Sequence, residues 1–194
     1  MPCIAYELAP NSDLFSYIND SGRLPVPVMK FYAKQLIAGL NEIHKAGVCH
    51  RDLKLENLVL DANCNLKIID FGLACPIQGE DGSGFSQKIV GSPGYMAPET
   101  ALGMRYQPVS ADLFALGVII FAMHTGVMPF SKAHCDNKHY YLIATQKQSV
   151  FWAAHEAHIG APFSANFKEL MSNMLAYQPY QRLNLVEVMS HPFF

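Results

Sequence analysis

The spacing of apolar residues predicts a mainly helical chain. The clearest amphipathic helix follows two prolines near residue 26, because apolar side chains recur there at three- and four-residue steps and so share one face. That face comprises Tyr32, Leu36, Leu40 and Ile43. Residues 113–123, LFALGVIIFAM, are apolar on every side of a helical wheel, which predicts a helix buried all round, with Asp112 as its N-cap.

Short strands are predicted at two places. Residues 3–8, CIAYEL, have the length and apolar content of a strand, and the turn-forming residues 10–12 end it. Asp13 is then placed to cap a helix that begins at Leu14. The segments LENLVL and LKIID flank residues 61–63 and predict two strands joined by a tight turn.

The stretch 76–94, PIQGEDGSGFSQKIVGSPG, differs from its neighbours. It is rich in Gly, Ser, Pro and polar residues and has few periodic apolar positions. This composition predicts a long mobile loop.

Composition narrows the class of protein. The 194 residues suit one domain with a sizeable core, since 51% are hydrophobic and only 15% are charged, below the ~25% of average domains. A disordered chain is therefore excluded. The net charge of −2 offers no positive field for nucleic acid or an anionic membrane, so neither is expected as a partner.

Cysteine usage and the absence of a leader pattern bear on location. The five cysteines are scattered at 3, 49, 64, 75 and 135, which favours reduced thiols. The longest apolar run is shorter than the ~20 residues that span a bilayer, and the N-terminus lacks a secretory pattern. We expect a cytoplasmic protein, with the nucleus as the alternative.

Three short motifs carry the chemistry. HRDLKLEN lies at 50–57, DFG at 70–72 and APE at 97–99. A catalytic loop, a metal-binding DFG and an APE in this order form the signature set of protein kinases, and their joint spacing makes a chance match very improbable. Over essentially all 194 residues the chain resembles a eukaryotic-type protein kinase, nearest to the calcium/calmodulin-dependent and AMP-activated group.

The residues in these motifs suit phosphoryl transfer. That reaction needs a carboxylate to orient the attacking hydroxyl and accept its proton, and oxygen ligands to hold Mg²⁺ against the phosphates of ATP. Asp52 is the candidate base, and Asn57 and Asp70 are the candidate Mg²⁺ ligands. Lys54 would place a charge near the transferred phosphate. A lysine there resembles the serine/threonine-directed branch, whose substrates are Ser/Thr residues of proteins.

The resemblance also implies the boundaries of the fold. Residues 1–194 would be the hinge and C-terminal lobe of a protein kinase domain, mainly α with short β-hairpins, with 70–99 as the activation segment. The sequence shows no glycine-rich phosphate loop, ATP-binding lysine or helix with its partner glutamate, so we expect the N-terminal β lobe to be missing. The isolated chain should then be weakly active or inactive, with an exposed cleft face for a complementing N-terminal lobe or partner.

Nucleotide-contacting positions follow from the resemblance alone. The hinge would be Glu7, Leu8 and Ala9, beside a gatekeeper at Tyr6. The other cofactor positions would be Asp13 at the ribose, Val59 beneath adenine, Glu56 in the catalytic loop and Asp70 at the metal. A short strand and a capped helix explain the same N-terminal residues. The role of Asp13 therefore stays open between a nucleotide ligand and a helix cap.

Several matching positions imply structural roles. Ser92 would hydrogen-bond near Asp52 and Lys54, and Asp112 would hold the catalytic-loop backbone. Glu99 would pair with Arg182 as a buried ion pair. Beneath the site, His50 and Phe71 would pack.

The activation segment departs from the family pattern. Lys88 stands where many related kinases carry an activating phosphothreonine, and Cys75 replaces the usual basic companion of Arg51. We therefore predict that activation does not depend on phosphate at the standard position. The nearby alternatives are Ser83, Ser86 and Ser92; the first two also suit a role as ordinary solvated loop serines.

Two other functions compete with catalysis. The chain could be a pseudokinase-like scaffold or substrate-docking module, although intact Asp52, Asn57 and Asp70 argue against this. A metal site among His134, Cys135, His139, His155 and His158 is the other, but its spacing matches no recognisable zinc motif. Ala122 stands where some basic-directed relatives carry an acid, which disfavours a strong arginine requirement in the substrate.

Overall fold

Helices are the main regular structure of the chain in the computed structural model, which describes residue 3 and residues 5–194. The α-helices among these residues are α1 (Leu14–Ser21), α2 (Val26–Lys45), α3 (Pro98–Ala101), α4 (Pro108–Thr125), α5 (Lys138–Ala144), α6 (Gln148–Ile159), α7 (Ala165–Met174) and α8 (Leu185–Met189). Single 3₁₀ turns lie at Leu55–Asn57 and Pro179–Gln181. The predicted mainly helical fold is confirmed.

Two small antiparallel sheets carry the loops of interest. β2 (Leu58–Leu60) pairs with β3 (Leu66–Ile68), with Val59 opposite Lys67, which confirms the predicted two-strand unit. β1 (Val48–Cys49) pairs with β4 (Cys75–Pro76). The second pairing joins the strand before HRDLKLEN to the strand after DFG, so the sheets bring the two motifs together.

The core is built around α4. This helix packs against α2 and α7, and its residues from Leu113 to Met123 are all buried. It has the length and hydropathy of a membrane span, but 83% of it is buried inside the domain, as in a core helix. A Cβ on Gly117 would lie 2.8 Å from Cβ of Met174, so glycine there lets α4 and α7 approach closely.

Three predictions about elements need correction. Residues 5–8 of the predicted strand 3–8 adopt no regular structure, and Ile4 lies outside the described residues. Helix α4 begins at Pro108, because proline suits a first helical position, so Asp112 lies inside the helix and is not its N-cap. Most of the loop 76–94 is irregular, as predicted, but Pro76 belongs to β4, and Ser86 is buried and forms a bridge with Tyr106.

The predicted start of α1 is confirmed. The carboxylate of Asp13 accepts hydrogen bonds from the amide of Ser16 at 2.8 Å and from its hydroxyl at 3.1 Å. Both carboxylate oxygens are therefore engaged in capping the helix.

Candidate active site

The catalytic loop is anchored on the buried helix α4. The carboxylate of Asp112 accepts hydrogen bonds from the backbone amides of His50 at 2.9 Å and Arg51 at 2.8 Å. Its Oδ2 also lies 2.8 Å from Nε2 of His44. Arg51 has a φ of 64°, a conformation that costs energy in a non-glycine residue, and these bonds hold it there. The backbone-holding role predicted for Asp112 is confirmed.

Asp52, Lys54 and Ser92 form one hydrogen-bonded cluster. Lys54 Nζ donates to Asp52 Oδ2 at 2.8 Å and to Ser92 Oγ at 3.1 Å, and Ser92 Oγ donates to Asp52 Oδ1 at 2.8 Å. The bond to Asp52 raises the pKa of Lys54, so the amine stays charged. The structure thus brings Ser92 to both residues that the sequence predicted.

The activation segment reaches this cluster by a close backbone approach. Gly91 has a φ of 111°, and a Cβ there would lie 2.7 Å from the carbonyl oxygen of Arg51. Only glycine allows both the backbone angle and the contact. Gly91 therefore places the neighbouring Ser92 against the catalytic loop.

The predicted metal ligands lie on adjoining segments. Asn57 is buried, and its side-chain Nδ2 donates to the backbone carbonyl of Asp52 at 2.9 Å. The backbone carbonyl of Asn57 accepts a bond from the amide of Ile69 at 3.0 Å. Asp70 follows Ile69 with a φ of 63° and an exposed carboxylate. Its Oδ1 accepts a bond from the amide of Gly72 at 3.2 Å. An amide oxygen and a largely unengaged carboxylate are the hard donors that suit Mg²⁺.

Packing beneath the site fixes this geometry. Nε2 of His50 lies 2.9 Å from the carbonyl oxygen of Ile69, and the His50 and Phe71 rings lie 4.9 Å apart. Both residues were predicted to pack beneath the site, and for His50 this is confirmed. Phe71, however, is 46% exposed, so only His50 is a buried packing residue.

The predicted hinge residues lie at the edge of the site. Tyr6 and Leu8 are 85% and 80% exposed, and Ala9 is half-buried. Glu7 Oε2 lies 3.2 Å from Lys67 Nζ on β3. The segment therefore follows the hairpin but buries little of its own surface.

Backbone pairing continues from the hinge toward α1. The amide of Asn11 donates to the carbonyl of Leu60, and the amide of Leu60 donates to the carbonyl of Ser12. Asp13 and Val59 form an antiparallel bridge, so these two predicted nucleotide positions are neighbours. Glu56 is exposed and accepts a bond from the hydroxyl of Tyr95 at 3.4 Å.

The APE motif is joined to the C-terminal part of the domain as predicted. Arg182 pairs with Glu99 through two parallel bonds of 2.6 and 2.7 Å, and both residues are buried. Arg182 also donates to the carbonyl and hydroxyl of Ser110, at 3.1 Å each, and stacks over Phe114. This buried pair joins α3 to the segment that precedes α8.

A second ion pair, between Arg51 and Glu80, was not predicted from the sequence. The guanidinium of Arg51 forms a short ion pair with Glu80, and it also donates to Ser86 Oγ at 3.3 Å and to the carbonyl of Leu73 at 2.7 Å. Lys88 Nζ lies 3.5 Å from the same carboxylate. The loop 76–94 carries two neighbouring acids, Glu80 and Asp81, and the sequence alone does not show which of them meets Arg51.

The alternative metal site among His134, Cys135, His139, His155 and His158 gains no support, since most of these side chains have other contacts. His134 pairs with Asp136 at 2.8 Å, whereas His139 and His155 stack with ring centroids 5.1 Å apart. Burial lowers the pKa of His155, whose Nδ1 lies 2.9 Å from a backbone carbonyl.

Within residue 3 and residues 5–194, ligand atoms close enough to share an ion belong to His44, Cys49 and Asp112. Both oxygens of Asp112 there already accept backbone amides. Burial raises the pKa of Cys49, which keeps its sulfur a thiol and a poor ligand.

Comparison with known proteins agrees with this geometry. The protein kinase domain family matches residues 2–194. CBL-interacting protein kinase 31 of Oryza sativa subsp. japonica is 35% identical over 193 residues, which cover 98% of this chain and 40% of that protein. CBL-interacting protein kinase 30 of the same plant is 34% identical, covering 97% of this chain and 37% of the relative.

A third relative is the SNF1-related protein kinase catalytic subunit alpha KIN12 of Arabidopsis thaliana. It is 32% identical over 98% of this chain and 36% of its own length. The chain thus spans well under half the length of these relatives. The predicted resemblance to protein kinases is confirmed, and the chain belongs to the protein kinase family.

Proposed function

We propose that this chain carries the substrate-side half of a serine/threonine protein kinase, which transfers the γ-phosphate of ATP to Ser or Thr hydroxyls of proteins. The observation that carries the proposal is the cluster of Asp52, Lys54 and Ser92, in which a buried carboxylate and a charged amine share one hydroxyl. Such a carboxylate suits the orientation of an incoming hydroxyl.

Each residue has a distinct task in this proposal. Asp52 orients the substrate hydroxyl and accepts its proton on a carboxylate oxygen. Lys54, held charged by Asp52, stabilises the negative charge on the transferred phosphoryl group. Asn57 and Asp70 would hold Mg²⁺, which neutralises the phosphates when it is bound. The hinge residues Glu7, Leu8 and Ala9 would contact adenine.

We further propose that the 194 residues by themselves are weakly active or inactive. Their sequence contains no glycine-rich loop and no ATP-binding lysine of the family pattern, and both normally position the phosphates. An added N-terminal lobe would complement the cleft.

Phosphate transfer to a Ser/Thr peptide from Mg·ATP tests both statements. We expect little transfer by the chain alone and clear transfer after an N-terminal lobe with a glycine-rich loop and lysine is fused to it. In the fused protein, Asp52→Asn should lower kcat by about 10²–10⁴. Asp136→Asn, an exposed acid remote from the motifs, is the matched control.

Two results would count against the proposal. Robust transfer by the unfused chain that Asp52→Asn abolishes would refute inactivity. An active fused protein in which Asp52→Asn behaves like Asp136→Asn would refute the assigned base.

A scaffold role is the second candidate, and one surface feature favours it. Apolar side chains around the hinge and DFG are exposed, as on a face that another protein or lobe covers. They are Tyr6, Leu8, Ile69, Phe71 and Leu73. A catalytically silent fused protein that still binds a substrate protein through this face would support the scaffold role.

A further inference from the structure

The side chain of Arg51 is almost wholly buried between the catalytic loop and the activation segment. Only 6% of it is exposed, and its Nε donates to the carbonyl of Leu73 at 2.7 Å. A guanidinium cannot lose its charge in a protein, so a buried one needs an anion nearby. The anion that the structure supplies is Glu80.

The groups around Glu80 keep its carboxyl group ionised. Partial burial raises the pKa of its carboxyl, but its own backbone amide, Arg51 and Ser86 outweigh burial and lower that pKa to about 2. Lys88 Nζ, 3.5 Å away, adds a second cation. The carboxylate is therefore charged at every physiological pH.

The same cluster ties down the segment that follows. Ser86 Oγ accepts a bond from Arg51 at 3.3 Å and another from the amide of Lys88. Its backbone exchanges two bonds with Tyr106, of 2.8 and 2.9 Å. The ion pair and this bridge hold residues 76–88 against the body of the domain.

From this geometry we infer that Glu80 is a positioning residue, a built-in anion that fixes the activation segment and the catalytic loop to each other through Arg51 without any phosphate. The inference deepens the proposed function, because the backbone of Arg51 leads directly into Asp52. Lys88, at the position where related kinases carry a phosphothreonine, is here a further cation for Glu80.

The arrangement also bears on Ser86. Ser86 is only 4% exposed, and its hydroxyl is already hydrogen-bonded. A modifying enzyme therefore reaches this hydroxyl only after the segment opens. A phosphate there would be a dianion beside the Glu80 carboxylate and would compete with it for Arg51. Phosphorylation of Ser86 is therefore expected to need an opened segment and to displace Glu80 from Arg51.

Amide hydrogen exchange of the 194-residue chain tests the inference without requiring catalysis. Protein shown by intact mass to carry no phosphate should be protected across residues 76–90. Glu80→Gln, which keeps the shape and removes the charge, should speed exchange there and at residues 50–52 at least tenfold. The matched control is Asp81→Asn, since Asp81 is exposed and bonds within its own turn.

A rescue experiment with added phosphate distinguishes the effect of the Glu80 charge from an effect of its packing. In Glu80→Ala, inorganic phosphate should slow exchange in residues 76–90 relative to chloride of equal ionic strength, because it supplies the lost anion to Arg51. If Glu80→Gln fails to fold, Glu80→Asp replaces it: the charge on a shorter stem should speed exchange in the same residues by about two- to tenfold.

Clear results would overturn the inference. They are equal exchange in Glu80→Gln and Asp81→Asn, an unprotected phosphate-free wild type, no response of Glu80→Ala to phosphate, or wild-type exchange in Glu80→Asp. Failure here leaves the proposed transfer reaction standing, and an inactive fused kinase leaves these exchange results interpretable.

Discussion

The two sides of the candidate cleft differ sharply in how they are held. On the catalytic-loop side, Asp52 is 8% and Asn57 5% exposed, and the loop is bonded to the buried Asp112. On the hinge side, Tyr6 and Leu8 are 85% and 80% exposed. The candidate catalytic residues are thus positioned by contacts within the described part of the chain, whereas the candidate hinge gains little support from it.

A buried and an exposed ion pair extend this contrast and give the largest expected difference. Arg182→Met removes one member of the buried pair with Glu99, and the unpaired carboxylate should cost about 3–5 kcal/mol of unfolding free energy. Lys67→Met removes the exposed partner of Glu7 and should leave the free energy of unfolding almost unchanged, because water screens an exposed ion pair. Denaturant unfolding measures both, and similar losses would erase the distinction.

The anchoring of the catalytic loop should come next in size. Asp112→Asn leaves one oxygen to accept from the amides of His50 and Arg51, so one amide loses its partner. We expect a loss of about 1.5–3 kcal/mol, the range for a hydrogen bond to a charged group. Asp136→Asn on the surface is the control; an equally stable Asp112→Asn would show that the loop is held otherwise.

The pH dependence of stability should report on Glu80. Its pKa falls from an ordinary 4.5 to about 2 on folding, so the unfolded chain binds the proton more readily. The stabilisation is present above pH 4.5 and is lost as pH falls toward 2. The difference in unfolding free energy between wild type and Glu80→Gln should therefore shrink between pH 5 and 2; a constant difference would contradict this.

The smallest effect is expected at the start of α1. Asp13→Ala removes the cap on Ser16 and should cost about 1 kcal/mol, while Asp13→Asn should restore most of it. Thermal unfolding of the two variants measures the difference. If Asp13→Ala is neutral for stability but weakens nucleotide binding in the fused protein, the ribose interpretation is favoured over the cap.

Sequence reasoning succeeded where local signals were strong. Helix α2, the hairpin β2–β3 and the cap at Asp13 depend on periodicity and turn chemistry, which neighbouring residues determine. Of the face predicted for α2, Leu36 and Leu40 are buried, whereas Tyr32 and Ile43 are only half-buried. Ordered motifs predicted the cluster of Asp52, Lys54 and Ser92, although its members span 40 residues. The assigned roles in catalysis and nucleotide binding stay predictions.

Misses occurred where the answer depended on tertiary partners. A strand at 3–8 requires a ladder of backbone partners, and an apolar pattern does not reveal whether one exists. The start of α4 was placed late because its first turn, from Pro108, is more polar than the run that follows. The Arg51–Glu80 pair joins residues 29 positions apart, with no spacing rule to predict it.

The central claim is that Asn57 and Asp70 bind one divalent ion beside Asp52. Paramagnetic broadening by Mn²⁺·ATP in the NMR spectrum of the chain tests it most directly. We predict the strongest broadening at the amides of Asn57, Asp70 and Gly72, and its loss in Asp70→Asn. Broadening centred instead on exposed acids such as Asp136, and unchanged in Asp70→Asn, would contradict the account.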